Sequence, residues 1–124
     1  MNRKEIINRL KKYNLDVNRY LIISGTAMVL RGIKEETQDI DISVTEDLEE
    51  ELLEDYISVL EHTNTDGTHA YMINDEINFG VKYYSEQRDF IDGLPVQKVE
   101  DIIKIKTMLN RPKDKYDLKL LKKI

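Results

Sequence analysis

Two aspartates one residue apart, Asp39 and Asp41, are the side chains of this sequence with the clearest capacity for chemistry. They lie in Asp39-Ile-Asp-Ile-Ser-Val44, where polar and apolar residues alternate with the period of a strand. Ile40, Ile42 and Val44 then face a core, while Asp39, Asp41 and Ser43 face away. A spacing of two puts both carboxylates on one side, about 6–7 Å apart along the backbone. Like charges at about 6 Å repel by on the order of 3 kcal/mol at an effective dielectric of about 20, and a divalent cation turns that repulsion into attraction. Oxygen-only ligands suit magnesium or manganese better than zinc. An amphipathic strand with two outward acids would look the same, so context must decide. That context is Ser24-Gly25, between an apolar run and a helical one, fourteen residues before Asp39. Small residues at such a junction let the backbone approach a ligand, and the N–H groups that open a helix attract phosphate.

These residues need elements to hold them. Ile6, Leu10 and Tyr13 predict a short amphipathic helix over 3–13 with a mostly positive polar face. Tyr20–Ile23 has strand length and runs into a helix from Ser24, stopped by Gly32. After the strand at 39–44, Thr45 caps a helix whose buried stripe is Leu48, Leu52, Tyr56 and Val59 and whose end falls near Leu60. His62 to His69 reads as a turn or loop, and Tyr71–Ile73 with Ile77–Tyr84 reads as a hairpin around Asn74-Asp75. In its second strand Ile77, Phe79, Val81 and Tyr83 share one face, opposite Glu76, Asn78 and Gly80. Pro95 opens a short extended segment, Val99–Asn110 is a helix, and Pro112 begins a last helix reaching Ile124. No linker, repeat or low-complexity tract divides the chain, so residues 1–124 are expected to form a single domain.

Composition narrows the chemistry. Residues of the hydrophobic set make up 40% and charged residues 35%, a globular balance. The chain has no cysteine and two histidines, which removes disulfides, thiolate zinc sites and histidine-rich metal sites. No apolar run has the length of a membrane span and no apolar signal core follows the first residues, so a cytoplasmic protein is expected. The net charge of −5 is unevenly spread: residues 35–66 hold thirteen acids and no Lys or Arg, whereas 104–124 hold eight Lys/Arg against two acids.

A phosphate cradle beside a two-carboxylate cation site is the equipment of nucleotidyl transfer. Two blocks of the sequence resemble the minimal nucleotidyltransferases of the DNA polymerase β-like superfamily, especially the abortive-infection toxin type. The first is Leu21-Ile-Ile-Ser-Gly-Thr-Ala-Met-Val-Leu-Arg-Gly-Ile33 with Thr37-Gln-Asp-Ile-Asp-Ile-Ser-Val44. The second is Val99-Glu-Asp-Ile-Ile-Lys-Ile-Lys106 with Arg111-Pro-Lys-Asp-Lys-Tyr-Asp117. The resemblance implies an α+β nucleotidyltransferase fold, a small mixed sheet with helices packed on it. It implies that Ser24 and Gly25 contact nucleotide phosphate, that Asp39 and Asp41 ligate Mg²⁺ or Mn²⁺, and that Lys106 lies near the phosphates. Lys113 and Asp114 are expected to pair within or between the last two helices.

Two departures stand out. Ser24 replaces the first glycine of the commonest pattern, and Asn78 stands where active members carry a third carboxylate. An amide offers a carbonyl oxygen to a cation but cannot act as a carboxylate base; Glu76, two residues away, is the alternative acid. Three functions follow as expectations. One is an enzyme moving an NMP from an NTP to a hydroxyl on RNA, protein or a small molecule. Another is a catalytically impaired nucleotide-binding homologue acting through a partner. The last is an interaction domain of a toxin–antitoxin type system, built on the acidic helix. A tRNA or protein acceptor, an antitoxin and a homodimer are the partners that fit these readings, and no membrane is.

Overall fold

The structure, a computed structural model, describes residues 1–123. Helix α1 (Arg3–Tyr13) starts at a reciprocal cap: Asn2 Oδ1 accepts the Glu5 N–H at 3.0 Å and the Glu5 carboxylate accepts the Asn2 N–H at 3.2 Å. Strand β1 (Tyr20–Ile22) leads into α2 (Ser24–Leu30), and β2 (Ile40–Val44) leads into α3 (Glu46–Asp55), which Thr45 caps. The hairpin β3 (Ser58–Thr63) and β4 (His69–Ile73) is followed by β5 (Ile77–Gly80). A short hairpin, β6 (Asp89–Ile91) and β7 (Leu94–Val96), precedes α4 (Val99–Leu109) and α5 (Pro112–Leu121).

The seven strands form one mixed sheet in the order β3-β4-β5-β2-β1-β7-β6. The β2–β5 and β1–β7 pairs are parallel and the others antiparallel. The expected alternation along β2 holds for the core: Ile40, Ile42 and Val44 join Ile77 and Phe79 of β5, Ile6 and Leu10 of α1, and Leu48 and Leu52 of α3 in one apolar cluster. α4 and α5 pack on each other, and α4 overhangs the opposite, polar side of β2.

Four expectations are corrected. Helix α3 ends at Asp55 rather than near Leu60, because the chain leaves helical geometry at Tyr56 (φ −129°). The following Ile57-Ser-Val59 is β-favouring, and Val59, expected in the buried stripe, is 59% exposed on β3. The turn expected from His62 to His69 narrows to residues 64–68, with His62 and Thr63 ending β3 and His69 opening β4. Strand β5 stops at Gly80 instead of continuing to Tyr84, so Val81 and Tyr83 do not extend its face. Pro95 lies inside β7, opposite Phe90, and the preceding Asp92-Gly93 turn, both at positive φ, makes a hairpin that the sequence reading passed over. The expected helix end at Ile124 lies outside the described residues.

Candidate active site

Asp39 and Asp41 reach the site through their backbones before their side chains. The buried Thr26 Oγ1, in the first turn of α2, accepts the Asp41 N–H at 2.9 Å and donates to the Asp39 carbonyl at 3.2 Å, so one hydroxyl fixes both residues. The ladder between β1 and β2 continues past Ile22, with the Ile23 N–H donating to the Asp41 carbonyl at 3.1 Å. Ser24 is thereby placed beside Asp41. On the other flank, the parallel β2–β5 register sets Asn78 directly across from Asp41.

Two clefts meet here. One, of about 310 Å³, is lined by Ser24, Asp41, Asn78 and Lys106 and extends to Ala70 and His62; the other, of about 460 Å³, is lined by Asp39, Asp41, Lys34 and Thr37. Asp41 and Lys113 line both. Gly25 is buried and lines neither; the Thr37 hydroxyl stands 3.3 Å from where its Cβ would be, so the glycine admits the loop that carries the aspartates.

The Asp41 carboxyl is raised from its ordinary 3.8 to about 6, first by burial and then by the charge of Asp39, against the opposing pull of Lys113, Lys106 and Arg111. No side chain donates a hydrogen bond to it among the described residues. Half-buried, like-charged and undonated oxygen ligands are the donor set a hard divalent cation takes, and Asn78 can add a carbonyl oxygen. The described residues hold no cluster of three His, Cys, Asp or Glu, which agrees with the amide at position 78. Glu76 does not supply the missing acid: its carboxylate takes the Tyr13 hydroxyl at 2.6 Å and Arg9 at 3.0 Å, both on α1.

Ser24 stands at φ +56°, a left-handed backbone that costs a non-glycine residue about 1 kcal/mol. Its N–H is already engaged, donating to Gln97 Oε1 at 3.0 Å. Its Oγ accepts from Lys106 Nζ at 3.3 Å, which leaves the hydroxyl proton free to donate into the cleft. Lys106 is 4% exposed and held by Asp117 at 3.0 Å and Asp114 at 3.6 Å. It touches the phosphate end of the cleft yet is not a free cation. Asp114 pairs between the last two helices, as expected, with Lys106 of α4 and with Arg111, whose Nε lies 2.6 Å away; burial raises its pKa, but the Arg111 hydrogen bonds bring it below the usual carboxylate value. Lys113 makes no ion pair among the described residues and is exposed.

Sequence reading therefore missed Thr26, Gln97 and the availability of Lys113. Thr26 had a signal, as the single polar residue in the apolar run 25–30. Gln97 had none, because its partner is 73 residues away in sequence.

No family model matches the sequence, and no curated protein matches it. The structure is similar to the crystal structure of a "putative nucleotidyltransferase" from Thermotoga maritima, with a TM-score of 0.63 and 17% identity, over 96% of this chain and 93% of that one. At this identity the likeness concerns the fold, and the chain has the nucleotidyltransferase fold.

Proposed function

We propose that the protein is a Mg²⁺-dependent nucleotidyltransferase that transfers a nucleoside monophosphate from an NTP to a hydroxyl group. The observation that carries this reading is the Asp41 carboxylate, which shares one cleft with the Ser24 hydroxyl and Lys113 and the adjoining cleft with Asp39. Asp39 and Asp41 would hold the cation, with the Asn78 carbonyl beside them. The ion would supply charge neutralisation across the triphosphate. Ser24 donates to a phosphate oxygen, and Lys113, free to move, neutralises phosphate charge that the ion-paired Lys106 cannot. Lys106 instead orients the Ser24 hydroxyl. In the transfer, the acceptor oxygen bonds to the α-phosphorus as the bond to the bridging oxygen breaks. Pyrophosphate takes that electron pair, and the hydroxyl proton passes to water, since Asn78 cannot receive it. The toxin-type subclass is the narrower form of this reading, supported by the two matching sequence blocks.

Mg²⁺ with ATP, GTP, CTP or UTP is expected to raise the melting temperature by several degrees, measured by scanning fluorimetry. Neither partner alone should do so, and Asp41→Asn should abolish the rise. A chain indifferent to all four nucleotides would end the proposal.

A second reading is favoured by one observation: Asn78 faces Asp41 where a base would stand, and Glu76 is committed to α1. In that reading the site binds NTP without turnover. Labelled NTP incubated with a mixed pool of tRNA, protein and small alcohols separates the two. Label transfer by the natural chain supports the enzyme; transfer seen only with Asn78→Asp, at a gain of about 10²-fold or more, supports the impaired homologue.

A further inference from the structure

The cleft that holds Asp41 does not end at Asn78. Across the polar side of the sheet, Ser43 of β2 pairs with Gly80 of β5, Gly80 with Ala70 of β4, and Ala70 with His62 of β3. Paired residues on neighbouring strands point to the same side. The row is therefore hydroxymethyl, hydrogen, methyl, imidazole: a floor with no bulky side chain, leading from the carboxylates to His62 about 10 Å beyond β5. The flanking row, Asp41, Asn78, Met72 and Val59, forms its side. Gly80 is required there, since a Cβ would stand 2.5 Å from the His69 carbonyl oxygen. His62, Asn64 and Lys82 line the far end of this arm of the cleft.

Reaction geometry selects the occupant. Leaving and attacking oxygens stand roughly in line on opposite sides of a phosphorus. Ser24 and Lys106, at the phosphate end, lie on the β1 side of β2. The attacking hydroxyl must then arrive from the β5 side, over Gly80 and Ala70. The chemistry at the far end is equally selective. Lys82 makes no ion pair among the described residues; its ammonium lies 5.5 Å from the Tyr83 ring centroid, and its charge reaches Asp66. Asn64 spends an amide N–H on Thr68 Oγ1 at 3.0 Å, leaving its carbonyl oxygen for a hydroxyl. An ammonium and an exposed imidazole together at this end, on the edge strand of the sheet, fit a phosphate group. Glu61 and Asp66, exposed on the same hairpin, oppose a long polyanion lying across it.

We infer that this arm is the acceptor subsite and that it takes a compact phosphorylated alcohol, its phosphate on Lys82 and His62 and its hydroxyl over Gly80 toward Asp41. The inference rests on the transfer reading above for the direction of attack.

With two histidines in the chain, the imidazole C–H resonances report the site directly. Glycerol 3-phosphate, titrated into the full chain with Mg²⁺ and a non-transferable NTP analogue, should shift His62 more than His69, which also lines the cleft but whose ring is engaged by Thr63 and packed against Tyr71. Lys82→Met should weaken the apparent affinity at least about tenfold, the loss of one charge-assisted contact. Ala70→Leu, which fills the floor, should abolish the shift while keeping the NTP-induced rise in melting temperature. Unphosphorylated glycerol producing the same shift, an unchanged affinity in Lys82→Met, or a short RNA displacing the probe more tightly than glycerol 3-phosphate itself binds would each overturn the inference. A natural chain that shows no NTP response but still shifts His62 would remove the transfer reading and keep the arm as a phosphate site.

Discussion

At position 41 a carboxylate lies beside a second one with no donor to share its charge, and this ties stability to pH. Its folded pKa, about 6, stands above the ordinary 3.8, so the fold opposes ionisation. Below about pH 4 folded and unfolded chains both hold the proton and the residue costs nothing. Between about 4 and 6 the unfolded chain gives up its proton first, and stability falls as pH rises. Above 6 the full penalty stands, of order 2–3 kcal/mol at about 1.4 kcal/mol per pH unit. In chelator, Asp41→Asn should therefore raise the urea midpoint at pH 7.5 and leave it nearly unchanged at pH 4; millimolar Mg²⁺ should narrow the difference. The pairing of Asp39 with Asp41 was legible because strand period fixes which side a residue faces. The shifted pKa was not, because burial under α4 comes from residues 60 positions later.

Between elements, the decisive junction is α4 against α5. Lys106, Asp114 and Asp117 are almost wholly buried there, with Lys34 reaching Asp117 at 3.1 Å. Removing Lys106 leaves Asp114 with Arg111 alone and Asp117 with Lys34 alone, two buried carboxylates each short of one partner, at about 3 kcal/mol. Lys106→Met should lower stability by that amount and, in a variant rescued by added osmolyte, weaken NTP binding through the freed Ser24 hydroxyl; Lys113→Met should weaken binding with little change in stability. Equilibrium unfolding and nucleotide titration read the two effects apart. The helices themselves were legible from apolar spacing and from Pro112 at the first turn of α5. Which lysine was free was not legible, since that depends on where two helices cross. The same spacing misled at Val59, seven residues beyond Leu52 and so in phase with a helix that Tyr56 had already ended.

On the scale of the whole molecule, β2 lies between β1 and β5, which places Ser24 on one flank of Asp41 and Asn78 on the other. The β2–β5 pair joins segments more than thirty residues apart, and local pattern carries no trace of it; the resemblance in two sequence blocks implied the nucleotidyltransferase fold, and the chain has that fold. The order also leaves β3 at the sheet's edge, bonded to β4 alone, with Val59 and Leu60 more than half exposed. Backbone amides there are guarded by one neighbour instead of two. In deuterium exchange β3 should label long before β2 or β5, and a bound acceptor should slow that labelling while nucleotide alone leaves it untouched. The end of the cleft that greets the incoming alcohol would thus be the part that breathes, while the aspartates behind it hold still.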